Sequence, residues 1–177
     1  DSEVLLEGFI EGKEFSCIVI RLEDGKPVAL PPTEIRKGKE LFDYRSKYLP
    51  GLSRKVTPIQ LPTERINEIR DACERLFVSL QFNVYARIDG FITDEGKVFL
   101  NDPNTTSGMM PSSFFFHQAA EIGLNPSQFL TYIIRTSLQE RITDMKDFIR
   151  LPEMLRRLDE GIRSLRKSER SKTRVAV

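Results

Sequence analysis

Residues 84–104, VYARIDGFITDEGKVFLNDPN, decide the fold. Apolar and polar side chains alternate over 84–92, the period of a half-buried strand, and Asp94-Glu95-Gly96 is a turn signal before a second strand at 97–102. On the first strand Arg87 and Asp89 lie two apart and share a face, as do Asp102 and Asn104 at the end of the second. Folded back as a hairpin, the two pairs meet, bringing together two carboxylates, an amide oxygen and a guanidinium. Three hard oxygen donors suit Mg²⁺, which is held by carboxylates together with substrate phosphates. The guanidinium suits developing negative charge. By spacing alone, the same residues also read as a surface salt bridge from Arg87 to an acid, with Asn104 as a turn residue.

Working outward, residues 3–10 (EVLLEGFI) read as a short strand broken at Gly12, and residues 14–22 (EFSCIVIRL) as a second, rich in β-branched side chains. Asp24-Gly25 turns this strand into a partner over Lys26–Leu30. Residues 36–58 hold no sustained period and read as one long loop, a length that is usually functional or disordered. From Pro62 to Leu80 the period changes: Ile66, Ile69, Cys73, Leu76, Phe77 and Leu80 mark an amphipathic helix starting at Pro62 or Thr63. After a loop over 104–111, Ser112 or Ser113 caps a helix holding Phe114 to Glu121. Asn125-Pro126 opens another, with Phe129, Leu130, Ile133, Ile134 and Leu138 on one face. The pattern stays charged and helical to about residue 168. The expected class is α+β, a mostly antiparallel sheet with helices packed on one side.

The chain has 177 residues, about one domain, with 40% hydrophobic and 30% charged residues. Twenty-seven lysines and arginines against 26 acids leave a net charge of +1, which excludes a whole-domain polycation for nucleic acid. No apolar run approaches a membrane span, and no signal-peptide pattern opens the sequence. Cys17 and Cys73 stand at no metal spacing and read as reduced core residues of a cytoplasmic protein. The first residue is Asp1 and Val4-Leu5-Leu6 follow almost at once, the expectation for an excised piece of a longer chain. His117 reads as structural and Phe114-Phe115-Phe116 as core.

Four ordered motifs carry a family resemblance over roughly residues 4–140. They are VLLEGFIEGKEF at 4–15, FDYRSKY at 42–48, ARID at 86–89 and DPNTTSGMMPSS at 102–113. Together they resemble the C-terminal part of D-alanine–D-alanine ligase, an ATP-grasp carboxylate–amine ligase. The resemblance implies the ATP-grasp C-terminal subdomain over 1–140, without its N-terminal and central domains, and a helical extension with a basic tail over 141–177. It implies an ATP- and Mg²⁺-dependent reaction in which one carboxylate becomes an acyl phosphate and a second amino acid's amine attacks it. In that family the product is a dipeptide precursor of cell-wall peptidoglycan.

Residue by residue, the resemblance implies that Glu7 and the backbone of Phe9 and Ile10 contact adenine, and that Glu14 holds the ribose hydroxyls. Lys47 reaches the ATP phosphates, and Tyr48 closes its loop over the amino-acid site. Asp89, Asp102 and Asn104 bind Mg²⁺; Arg87 and the Gly108 N–H stabilise the oxyanion; Ser113 holds the second amino acid's carboxylate. Taken singly, Glu7 and Glu14 are ordinary strand acids, Lys47 is one solvated lysine among many, and Ser113 is a helix cap. The implied partners are D-alanine or a related amino acid and the rest of the parent chain, with no nucleic acid and no membrane; a homodimer is left open.

The chain departs from the family pattern at three places. Asp102 stands where the family has glutamate, Ser107 where it has proline, and Pro103 lies between the metal-ligand positions. These departures motivate a second reading, a non-catalytic ATP-grasp-like module that binds nucleotide or a partner protein. A third is a ligase of the same superfamily with other carboxylate and amine substrates. From Gly161 to Val177, six basic residues (Arg163, Arg166, Lys167, Arg170, Lys172, Arg174) face one acid, Glu169, without aromatics between them. They read as a solvated helix end and tail. Leu155, Leu158, Ile162 and Leu165 form a stripe suited to packing.

Overall fold

The computed structural model describes residues 3–4, 6–37, 53–144, 153, 155–160 and 163. Two compact units divide the chain, 1–129 and 130–177. The first is built on a sheet of β1 (Lys13–Arg21), β2 (Pro27–Ala29), β3 (Thr33–Lys37), β4 (Ser53–Val56), β5 (Tyr85–Ile92) and β6 (Val98–Asn104). Its order is β4-β3-β1-β5-β6, with β2 also on β1, and every pairing is antiparallel. The helices are α1 (Thr63–Ser79), α2 (Phe114–Glu121) and α3 (Pro126–Asp144).

The α+β class and the antiparallel sheet agree with the sequence, but the helices cover both faces instead of one. On one face Ile69, Cys73 and Phe77 of α1 pack with Phe15, Cys17 and Val19 of β1 and Ala86, Ile88 and Ile92 of β5, all buried. Each large side chain removed from water there contributes about 1.5–3 kcal/mol. On the other face lies α2, whose Phe115 ring stands 5.2 Å from Tyr85 and 4.4 Å from Phe129. This is why residues 15–20 of β1 are buried on both sides. A sequence alternation cannot show two-sided cover when the run is apolar on both faces but for one small serine, Ser16.

Glycine is required twice to bring strands this close. A Cβ at Gly90 would collide with the Phe99 carbonyl and the Phe15 ring, and Gly12, at φ +154°, abuts the Ile92 carbonyl. Helix α1 ends as a Schellman turn: Phe82 N–H donates to the Phe77 carbonyl and Gln81 N–H to Val78, with Gln81 left-handed at φ 55°. Along the exposed edge of β2, Arg70 donates to the Ala29 carbonyl and Glu74 accepts from its N–H, so α1 closes that edge. At α3, Asn125 and Gln128 exchange reciprocal backbone bonds of 2.9 Å, a capping box.

Several expectations are corrected. Residues 3–4 and 6–11 form no strand, and Val4, Leu6 and Phe9 are 88%, 94% and 75% exposed. The long loop of 36–58 begins and ends in strands, since Glu34–Lys37 pairs with Ser53–Val56, while 38–52 lie outside the described residues. His117 is exposed, not structural; its neighbours Phe115, Phe116 and Gln118 are buried. In α3 Phe129, Ile133 and Thr136 are buried, whereas Ile134 is 48% exposed. Cys17 and Cys73 are free, buried core thiols, and contact between them together with burial pushes the Cys17 thiol well up. In the second unit Arg156 pairs with Glu153 and Glu160, and Leu155 and Leu158 are half-buried; Ile162 and Leu165 fall outside the described residues.

Gln118 is a structural residue that no sequence pattern marks. β2 and β3 pair different halves of one edge of β1, leaving Ile18 N–H at the break. Gln118, fully buried, accepts from Ile18 N–H at 2.8 Å and donates to the Ser16 carbonyl at 2.8 Å and Thr33 Oγ1 at 3.1 Å. Replacing it strands buried backbone groups. Gln118→Leu is expected to cost about 2–4 kcal/mol in urea unfolding, from two orphaned polar groups. A loss below about 1 kcal/mol would show that another group fills the break.

Candidate functional site

The hairpin β5–β6 begins in simple register, with Ile92 opposite Val98, Phe91 opposite Phe99 and Gly90 opposite Leu100. Continued, that register would set Asp102 opposite Ile88, on the face packed by α1. It does not continue. The register shifts between Asp89 and Gly90, Asn101 is the extra residue, and beyond it Asp102 stands opposite Asp89 and Asn104 opposite Arg87. Because side chains alternate with period two, one bulge carries both residues to the other face. The expected meeting of the two pairs therefore occurs, by a device the sequence did not reveal. Pro103, opposite Ile88, points away from Asp102 and Asn104, and β6 ends the sheet order, where a missing N–H is tolerated.

Arg87 and Asp89 form a forked pair, with Nη2 2.9 Å from Oδ2 and Nε 3.1 Å from Oδ1. Their side chains are about one-fifth exposed, at 21% and 20%. Arg87 is thus salt-bridged to an acid, as the simpler reading had it, but the pair is largely buried and Asn104 lies in β6, not in a turn. Ser16, opposite Asp89 on β1, donates its hydroxyl to Oδ1 at 2.7 Å. Burial pushes the Asp89 carboxyl above its ordinary value; Ser16 and Arg87 pull it down, and the facing Asp102 charge pushes it up again. Asp102 is exposed, and Asn104 donates its amide N–H to the Asp102 carbonyl at 3.0 Å. That bond fixes the Asn104 side chain and leaves its Oδ1 as an available acceptor. Among the described residues no group of three or more His, Cys, Asp or Glu is placed for a metal, so a cation here would rest on two carboxylates and an amide.

The remaining expected residues are spread around this core. Glu14 lies on the same face, two residues along β1 from Ser16. Glu7 and Phe9 are exposed and Ile10 half-buried in the irregular segment before β1. Lys47 and Tyr48 lie outside the described residues. Gly108 is exposed, and a Cβ there would meet nothing within 4 Å, so no internal contact accounts for the glycine. Ser113 occupies the N-cap position of α2 with extended backbone, yet its hydroxyl makes no capping bond. Its Oγ and that of Ser107 are buried without a partner. Ser107 N–H donates to the Tyr85 hydroxyl at 3.2 Å, a bond that proline could not make.

Sequence reading missed Ser16, Tyr85 and Lys55. Lys55 sits on β4 opposite Ile35, which is opposite Glu14, so all three share the site face. Its ammonium donates to the Ser112 carbonyl at 2.9 Å and lies 4.4 Å from the Phe114 ring centroid. Burial, and then the Arg87 charge, push it below the usual lysine value. Its segment carried no period, so no face could be assigned to it.

Three comparisons bear on this geometry. Residues 1–135 match the family model described as D-ala D-ala ligase C-terminus. The chain is 33% identical over 142 residues to D-alanine–D-alanine ligase B of Clostridium perfringens, covering 80% of this chain and 45% of that protein. It is 36% identical over 132 residues to the D-alanine–D-alanine ligase of Phocaeicola vulgatus, covering 75% and 40%. Among solved structures, the Bacillus anthracis D-alanine–D-alanine ligase complexed with ATP superimposes with a TM-score of 0.63 at 32% identity, over 77% of this chain and 43% of that one. The VanG D-Ala:D-Ser ligase of Enterococcus faecalis gives 0.59 at 27% identity, over 71% and 36%. The chain spans less than half the length of each of these relatives.

The coupling within the site sets a sign. Asp89 holds its proton more tightly folded than unfolded, so its contribution to stability falls as pH rises from its ordinary value through the raised one. Arg87→Met removes a charge that pulls this carboxyl down. The Asp89 midpoint in a carbon-detected NMR titration is expected to move to higher pH, and an unmoved midpoint would mean that Ser16 and solvent alone set it.

Proposed function

The chain belongs to the D-alanine–D-alanine ligase C-terminal domain family, and on that premise we propose that it supplies part of the nucleotide, Mg²⁺ and second-substrate site of an ATP-dependent carboxylate–amine ligase. The ligase would join D-alanine, or a related amino acid, into a dipeptide. The observation that carries this reading is the direct opposition of Asp89 and Asp102 across β5–β6, beside Asn104 and Arg87. Like charges directly opposite on a strand pair destabilise it. A divalent cation held by both carboxylates would convert that repulsion into binding.

Asp89, Asp102 and the Asn104 amide oxygen would hold Mg²⁺, which neutralises phosphate charge when bound. Glu14, on the same face, would bind the ribose hydroxyls, while Glu7 and the Phe9 and Ile10 backbone would contact adenine. Lys47 would bind phosphate and Tyr48 close over the amino acids. Arg87 is held by Asp89 with its guanidinium at the site, and with the Gly108 N–H would stabilise negative charge on the reacting carboxyl carbon's oxygen. The open space around Gly108 supports close approach of a ligand to that N–H. Ser113, at the start of α2, would bind the second amino acid's carboxylate with the free N–H groups of the helix's first turn. In this reading residues 1–140 are the ATP-grasp C-terminal domain and 141–177 a helical extension with a basic tail, in a cytoplasmic parent protein.

Phosphate release from Mg-ATP by the intact parent protein tests the assignment. Release is expected to depend on D-alanine, to fall about 10²–10³-fold in Arg87→Met, and to need at least about tenfold more Mg²⁺ in Asp102→Asn. Folded protein that binds Mg-ATP but releases no phosphate with any amino acid would make this a binding module instead.

A further inference from the structure

Among the described residues Lys55 is paired with no anion, and its ammonium makes one hydrogen bond, to the Ser112 carbonyl. An ammonium has three donors, so two remain. Arg87, the other cation nearby, is already matched by Asp89. The end of α2 beside Lys55 is equally unmatched. Its first turn holds no acid, its N-cap serine makes no capping bond, and Ser113 Oγ is buried with no partner. Lys55 touches Ser112 and Phe114, the neighbours of Ser113 on either side, so an ammonium with spare donors stands beside a helix N-terminus and an orphaned hydroxyl, all of which suit a small anion.

We infer that Lys55 is a specificity-determining residue for the second substrate, its ammonium joining Ser113 and the α2 N-terminus to require a free carboxylate on the amine that is ligated. The inference rests on the ligase reading, in which Ser113 and the α2 N-terminus take the second amino acid's carboxylate, and adds Lys55 to that subsite. The Phe114 ring under the ammonium and the Ser112 carbonyl hold Lys55 in place, so the charge is positioned before the ligand arrives. The reduced desolvation of a partly buried ammonium also makes it a stronger partner for a carboxylate than a fully hydrated one.

Two readouts on the intact parent protein test it. In the first, D-alanine and D-alaninamide compete as acceptors and the dipeptide and dipeptide amide are counted by mass spectrometry. Lys55→Met is expected to raise the proportion of amide product about tenfold, with the KM for D-alanine raised and kcat held within about twofold. Lys55→Arg is expected to restore the preference. In the second, which needs no turnover, the Phe114 amide resonance of ¹⁵N-phenylalanine-labelled protein is followed during titration. D-alanine is expected to shift it in the wild type and in Lys55→Arg, to need about tenfold higher concentration in Lys55→Met, and D-alaninamide to leave it unmoved. This Lys55-dependent shift without any phosphate release would sink the ligase reading and keep the carboxylate site. An equal shift by D-alanine in Lys55→Met and the wild type, an equal response to the amide, or no wild-type response at all would overturn the role given to Lys55.

Discussion

One residue too many in β6 makes the site. The hydrophobic pattern of the hairpin fixes which face of β5 and of early β6 meets α1, since Ile88, Ile92, Val98 and Leu100 all pack into that core. An unbroken ladder would then put Asp102 into the same apolar layer, where an unpaired carboxylate is costly. The bulge at Asn101 lets one strand satisfy both demands: apolar side chains below in its first half, polar Asp102 and Asn104 above in its second. Gly90 stands opposite the start of the irregularity, where its missing side chain admits the Phe99 carbonyl and the Phe15 ring. The core on one face and the polar cluster on the other are therefore products of one local backbone event.

The polar cluster is then held by groups that serve the sheet as well as the site. Ser16 and Asp89 are register partners, so their hydrogen bond fixes the carboxylate relative to β1. Directly across β1, Gln118 ties the Ser16 carbonyl to α2 and to Thr33. The row Thr33–Ser16–Asp89–Asp102 thus runs through four strands with a side-chain or backbone link at each of its first three members. Asp102 alone is exposed. The repulsion between the two acids falls on the outer, edge-strand member, which is the one free to adjust.

Legibility in the sequence followed the strength of local pattern. The β5–β6 hairpin, β1 and α1 were plain because long runs obeyed a single period and ended in Asp-Gly or Pro signals. Thr33–Lys37 and Ser53–Val56 were not, because four of their nine residues are Lys or Arg and each strand is too short to display alternation. With those strands went Lys55, whose face is set only by pairing. The segment at 3–10 shows the converse error. Its apolar content suggested a strand, but its described residues, 3–4 and 6–10, adopt none. Gln118 could not be foreseen, since the break it fills exists only where β2 and β3 meet along one edge.

The three departures from the family pattern have different physical weight. Pro103 lies on an edge strand with its ring turned from the cluster, and Ser107 gains a backbone bond to Tyr85 that proline would forgo. Both are absorbed by the fold. Asp102 is not absorbed in the same way, because its carboxylate is one methylene shorter than the glutamate it replaces and hangs on an edge strand. If Asp102 holds a cation, as proposed, its shorter arm would hold it from closer to the β6 backbone. The backbone at 102 is in turn fixed by the Asn104 amide and by the pairing with Asp89. In the proposed reading, the reach of the site would be set by side-chain length at residue 102, because the backbone there is held in the β5–β6 ladder.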